Sequence, residues 1–208
     1  MTATNLMPPV AEKARPPRMA PETPNPRPPL SWPSVIFFAA FHGLALLAPW
    51  FFSWKALGVA VFLHWLFGSI GICLGYHRLL AHRSFKVPQW LEYIIATIGA
   101  CALQGGPTFW VGGHRQHHAF TEHVNKDPYS ADRGFLWSHF LWLIYPSKDT
   151  FDQHSYNKKA PDLARHAYYR WLDKYFLTLQ VPVAVALYFI GGWSFVIYGV
   201  FVLSLIHI

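Results

Sequence analysis

Five histidines set the chemistry open to this chain: His77 and His82 in the run GYHRLLAHRSF, and His114, His117 and His118 in GGHRQHHAFTEH. Neutral imidazole is the commonest protein ligand for a transition metal. On a helix, positions i, i+3 and i+4 share a face, so His114, His117 and His118 can converge. His117 and His118 project about 100° apart, which lets one run serve two ions. The pair in HRLLAH is five residues apart, about 140° on an ideal helix, so either the helix ends between them or they bind different ions. Imidazoles without thiolates exclude an iron–sulfur cluster, and the chain has no HExxH zinc-protease motif. Non-haem iron acting with dioxygen on an apolar substrate fits best, because unactivated C–H bonds lie beyond acid–base side chains.

Each histidine run sits beside an apolar stretch that must position it. Charged residues are 13% of the chain and aromatics 18%, against about 25% charged in soluble domains. Val35–Trp54 and Ala56–Tyr76 are each about twenty residues without a charge, enough to cross a bilayer. Separated by Lys55, they predict a transmembrane hairpin that delivers His77 and His82 just past the membrane. From Tyr175 to Ile208 no acid, lysine or arginine occurs, and Gly191-Gly192 divides this stretch into a second hairpin. Trp90–Val111 is apolar too, but it contains Glu92, Gln104 and a Gly-Gly-Pro break. Spanning there would put the histidine runs on opposite sides of the membrane; an interfacial helix keeps them together.

The net charge of +7 does not indicate nucleic acid. Lys13, Arg15, Arg18 and Arg27 lie in the N-terminal tail, and all other basic residues except Lys55 lie between Arg78 and Lys174. That asymmetry places the tail and the central segment in the cytoplasm. Residues 1–33 hold ten of the seventeen prolines and predict a disordered tail. Cys73 and Cys101 lie in apolar runs and read as small buried hydrophobes. His42 and His64 read as satisfied interior histidines, with haem ligation as the other option. Asp127 and Glu122 are candidates to orient ligand imidazoles through the second ring nitrogen.

With these runs in view, the chain resembles the membrane-bound fatty acid desaturases, specifically the Δ9 acyl-CoA/acyl-lipid branch. GYHRLLAHRSF is similar to that family's first histidine box, and GGHRQHHAFTEHVNKDPYSADRGFLWSHFLW to its second box with the stretch downstream of it. The resemblance covers residues 34–208. It implies an all-α integral membrane protein with two transmembrane helical hairpins, four helices with the last incomplete, under a cytoplasmic histidine-rich cap. It also implies two non-haem Fe2+ ions and O2-dependent insertion of a cis double bond. The substrate would be an acyl-CoA or acyl-lipid, and the electrons would come from an external donor of ferredoxin or cytochrome b5 type. His77, His82, His114, His117 and His118 match its iron ligands; Gln104 and Trp110 match positions at the bend of its acyl tunnel. Gly112-Gly113 departs from the charged residues that acyl-CoA enzymes use for the headgroup. The chain ends at Ile208, before the family's third box (HxxHH), so it is expected to be an inactive N-terminal portion. The competing expectations are a related histidine-box hydroxylase or ketolase, and a non-catalytic membrane protein.

Overall fold

The computed structural model describes residues 23–121 and 123–206, which are helical with no strand among them. Helix α1 (Trp32–Ala45) starts where the Ser31 hydroxyl accepts from the Ser34 amide, with Pro33 in the first turn, both ordinary helix-start devices. It is shorter than the run Val35–Trp54 suggested. Pro49 lacks the amide needed to continue the helix and restricts the residue before it, so the chain passes through a short 3-10 turn, Ala48–Phe51. Helix α2 (Trp54–Ala81) is capped by Ser53, whose hydroxyl accepts from the Ala56 amide at 3.1 Å. At 28 residues it is about 42 Å long.

Helix α3 (Gln89–Ala100) packs closely along α2. A Cβ on Gly71 would lie 2.6 Å from the Gly99 Cα, and one on Gly75 2.6 Å from the Ile95 side chain. The chain then reverses through Leu103 and Gly105, both at positive φ, into α4 (Pro107–Phe120). The apolar stretch 90–111 is therefore broken into two helices, and it brings the two histidine runs together. Glu92, its awkward charge, accepts a hydrogen bond from the Tyr169 hydroxyl.

Beyond α4 come the short helices α5 (Gln153–Lys159) and α6 (Pro161–Ala164), then α7 (Ala167–Tyr175). Helix α8 (Gln180–Val196) breaks at Gly191 and Gly192, the latter at φ 65°, a conformation that favours glycine. The chain folds back there. Leu187 and Gly199 would be about 18 Å apart on a straight helix, yet a Cβ on Gly199 would lie 2.7 Å from Leu187. The returning arm, α9, begins at Ile197–Val202 and packs against both α1 and α2. Two stretches among the described residues, Trp54–Ala81 and Gln180–Leu205, are long and apolar enough to cross a membrane, the second interrupted by this turn.

Two expectations change. Residues 23–31, ahead of α1, are tied to the rest of the fold by hydrogen bonds. The Asn25 amide donates to Asn125, Arg133 donates to the Asn25 carbonyl, and the Ser31 amide donates to the Ile144 carbonyl. The remainder, residues 1–22, lies outside the described residues, as do Glu122 and His207. Cys73 is exposed rather than buried, because α2 turns it to the outer surface of the bundle; Cys101 is half-buried, and both are free thiols. His42 is satisfied locally, its Nδ1 2.7 Å from the Phe38 carbonyl oxygen.

Candidate metal centre

The end of α2 decides where the first pair of histidines points. From His64 to Ala81 the helix is widened to π geometry, and its last closure runs from the His82 amide to the His77 carbonyl at 3.0 Å. An i→i+5 bond places residues five apart on one face. The 140° separation expected on an α-helix is thereby removed, and His77 Nε2 and His82 Nε2 stand 3.0 Å apart. Helix α2 ends at Ala81 with His82 as its cap, and Arg83 then takes a left-handed conformation at φ 51°. The Ser84 amide then donates back to the Arg78 carbonyl at 2.9 Å.

Helix α4 supplies the other side. Its start is fixed by Pro107 in the first turn and by Asp173 of α7, whose carboxylate accepts from the Thr108 amide at 2.9 Å. A negative group there complements the helix dipole. Burial holds the Asp173 carboxyl above its ordinary value, against the opposing pull of its hydrogen bonds from Thr108 and Phe109. One turn apart on α4, His114 and His118 place their Nε2 atoms 3.0 Å from each other, and His82 Nε2 lies 3.1 Å from His114 Nε2.

Four imidazoles thus meet, with a ligand atom of each within 4.8 Å of the others. Two nitrogens about 2.1 Å from a metal and at right angles to each other lie about 3.0 Å apart. The observed spacings match that geometry, and the donor set suits a first-row transition metal. Burial, followed by the surrounding His77, His118, His82 and His117, lowers the His114 pKa to about 4. It is therefore neutral at physiological pH, with a lone pair to offer.

His117 is not brought into this group of four. Its ring centroid lies 6.4 Å from that of His114 and 5.7 Å from that of His118. Its Nδ1 is 2.8 Å from Asp127 Oδ2, and it packs against Tyr129. Asp127 is 2% exposed and also accepts from the Tyr129 amide at 3.2 Å. A carboxylate acceptor fixes the proton on Nδ1 and leaves the Nε2 lone pair free, the orienting role anticipated for Asp127.

Gln104 and Trp110 stand together beside the cluster. The Trp110 indole N–H donates to Gln104 Oε1 at 3.0 Å, and its ring stacks on His114 with centroids 4.9 Å apart. Both line an open cavity of about 880 Å³ that His114 also faces, walled by Phe37, Phe38 and Phe41 of α1. This is the size range of pockets for mostly apolar ligands. Gly112 and Gly113 face Tyr156 of α5, and a Cβ on Gly112 would lie 2.9 Å from that ring.

Three residues that the sequence alone did not single out join the two histidine runs. Arg115 donates to both oxygens of Asp162, at 2.7 and 3.0 Å, and to the Leu80 carbonyl at 2.9 Å. Arg83 donates to Asp162 Oδ2 at 2.5 Å. Burial raises the Asp162 pKa, but the two guanidinium groups outweigh it and hold the carboxyl well below its usual range. The arginines in HRSF and HRQHH were the available signal, but the acid they share lies far along the chain.

The fatty acid desaturase family profile matches residues 52–208. The chain belongs to the fatty acid desaturase family. It is 68% identical over 183 residues to the sn-2 palmitoyl-lipid 9-desaturase of Nostoc sp. (strain 36), covering 88% of this chain and 64% of that protein. It is 45% identical over 177 residues to the sn-1 stearoyl-lipid 9-desaturase of Anabaena variabilis, with 84% and 64% covered. The Delta-9 acyl-lipid desaturase 2 of Arabidopsis thaliana is 46% identical over 167 residues, with 79% and 53% covered. The chain therefore spans about half to two-thirds of the length of these curated relatives. In this member of the family the histidine cluster fits a metal site.

Proposed function

We propose that the protein carrying this chain is an O2-dependent, membrane-bound desaturase that places a cis double bond, Δ9-type, in a saturated acyl chain esterified to a glycerolipid. The observation that carries the reading is the convergence of His77, His82, His114 and His118 beside a cavity that His114 lines and aromatic side chains wall. His77, His82, His114, His117 and His118 would hold non-haem iron, two ions as the family resemblance implies. When bound, the iron would supply the oxidising power that removal of two hydrogens from an unactivated methylene pair requires. The balance is one O2, two electrons and two protons taken up, two C–H bonds lost from the chain and two waters released. The electrons come from a separate donor of ferredoxin or cytochrome b5 type.

The chain's own residues do the rest. Asp127 keeps a proton on His117 Nδ1, so that Nε2 keeps the lone pair a metal ion would use. Trp110, held by Gln104, supports the His114 ring and shapes the cavity wall beside it. The apolar walls hold the acyl chain and exclude water around the reacting carbons. The substrates for which the relatives are named favour an acyl-lipid over an acyl-CoA, and so does Gly112-Gly113, which puts the neutral Tyr156 ring where headgroup charges would stand. The grouping of basic residues supports two membrane hairpins with the histidine runs on the cytoplasmic side.

Lipid profiling of a desaturase-deficient host that expresses the complete open reading frame tests this. Restored monounsaturated chains at C9 of lipid-bound acyl groups are expected. Hydroxylated or keto products, or unsaturation confined to the acyl-CoA pool, would overturn it.

A further inference from the structure

In each histidine run, an arginine directly follows a clustered histidine: Arg83 after His82, and Arg115 after His114. Both arginines reach the same carboxylate. Asp162 accepts a two-pronged bond from Arg115 and a third bond from Arg83, and Arg115 also donates to the carbonyl of buried Leu80, between His77 and His82. One acid on α6 thus ties the backbone end of α2 to α4 at Arg115, about 100° round that helix from His114. We infer that Asp162 is a positioning residue for the metal centre, setting the distance between the His77/His82 pair and the His114/His118 pair. This inference rests on the reading of the cluster as a metal site.

The physical argument concerns what would otherwise hold His82. It lies beyond the last helical residue, and the next residue, Arg83, sits at φ 51°. A side chain other than glycine is strained in that conformation. Arg83 is 64% exposed on its side chain, and the Asp162 carboxylate anchors its guanidinium. Without the carboxylate, the left-handed turn loses its tether, and His82 is free to leave the 3.0–3.1 Å contacts with His77 and His114. The Arg115 fork needs a planar, two-donor group facing a planar, two-acceptor group. Neither Asn at 162 nor Lys at 115 reproduces it.

The test uses the purified chain in detergent, freed of metal and titrated with Co(II), following the d–d absorption bands and, separately, the melting temperature of the metal-free protein. Loss of groups that orient metal ligands costs about 10- to 100-fold in affinity. D162N is expected to bind Co(II) 10- to 100-fold more weakly with altered d–d bands, and D162E to recover most of that loss. R115K keeps the charge without the fork and is expected to weaken binding similarly; it stands in if D162N does not fold. Wild-type Co(II) affinity and spectrum in D162N or R115K would overturn the inference alone. So would D162E failing to recover affinity while melting like the wild type. If the wild-type chain binds no Co(II), the metal-site reading falls and this inference with it.

Discussion

Replacing Asp127 by Asn changes one atom and should misdirect a metal ligand. Asp127 is 2% exposed and accepts from His117 Nδ1 at 2.8 Å and from the Tyr129 amide at 3.2 Å. An Asn side chain keeps one acceptor, and the Tyr129 amide, which cannot turn away, claims it. The amide NH2 then faces His117 Nδ1, which must become an acceptor and move its proton to Nε2. That tautomer has no lone pair on the nitrogen directed away from Asp127. Exchanging a hydrogen bond to a charged group for a neutral one costs about 1 kcal/mol. At roughly 2–4 °C per kcal/mol for a chain of this size, the metal-free protein should melt about 2–4 °C lower. Metal binding should weaken by about 10- to 100-fold at the ion that uses His117, leaving ions held by the other four histidines less affected. Thermal unfolding in detergent, paired with Fe(II) titration under anaerobic conditions, reads both effects. If D127N melts within about 1 °C of the wild type and takes up iron with unchanged affinity and stoichiometry, the orienting role of Asp127 is refuted.

Two glycines in α2 should respond with opposite signs to the same substitution. A Cβ at Gly71 would stand 2.6 Å from backbone atoms of Gly99, which cannot rotate aside, whereas nothing lies within 4 Å of one at Gly58. G71A should cost about 1–3 kcal/mol through overpacking, and G58A should gain up to about 1 kcal/mol from helix propensity; equal melting temperatures for the two variants would sink this packing account. The histidine cluster also predicts acid sensitivity of the metal-free fold. The His114 pKa is lowered to about 4 by burial and its neighbours, so the folded state resists protonation that the unfolded chain accepts near 6.5. Stability should be full above about pH 6.5 and fall progressively toward pH 4, and H114Q should flatten that slope in urea-melt midpoints measured across the window. A slope unchanged in H114Q would assign the acid sensitivity to other groups.

How far the sequence foretold this site depends on which interactions were local. The break at Gly191-Gly192 follows from glycine itself, and the structure has it; the turn expected at Lys55 falls earlier, at Ala48–Phe51, where Pro49 stands. His114 and His118 were legible because i, i+4 is a helix constant. The His77–His82 contact was not, because it needs the π closure at the end of α2. Residue spacing does not reveal that closure, since the hydrogen-bond register is chosen by packing. Gly71 and Gly75 admit α3 closely along the same helix. His117 illustrates the converse: its spacing alone placed it with its neighbours, but a buried carboxylate ten positions on turned its ring elsewhere. Asp162 stayed hidden for a related cause. An acid in a short, polar segment carries no periodic signal, and its partners are 47 and 79 residues away. A histidine run names the metal chemistry, but the distances between runs are set by residues that look ordinary in sequence. In this family member the acid that both flanking arginines reach is the one whose removal should separate a set of ligands from a metal site.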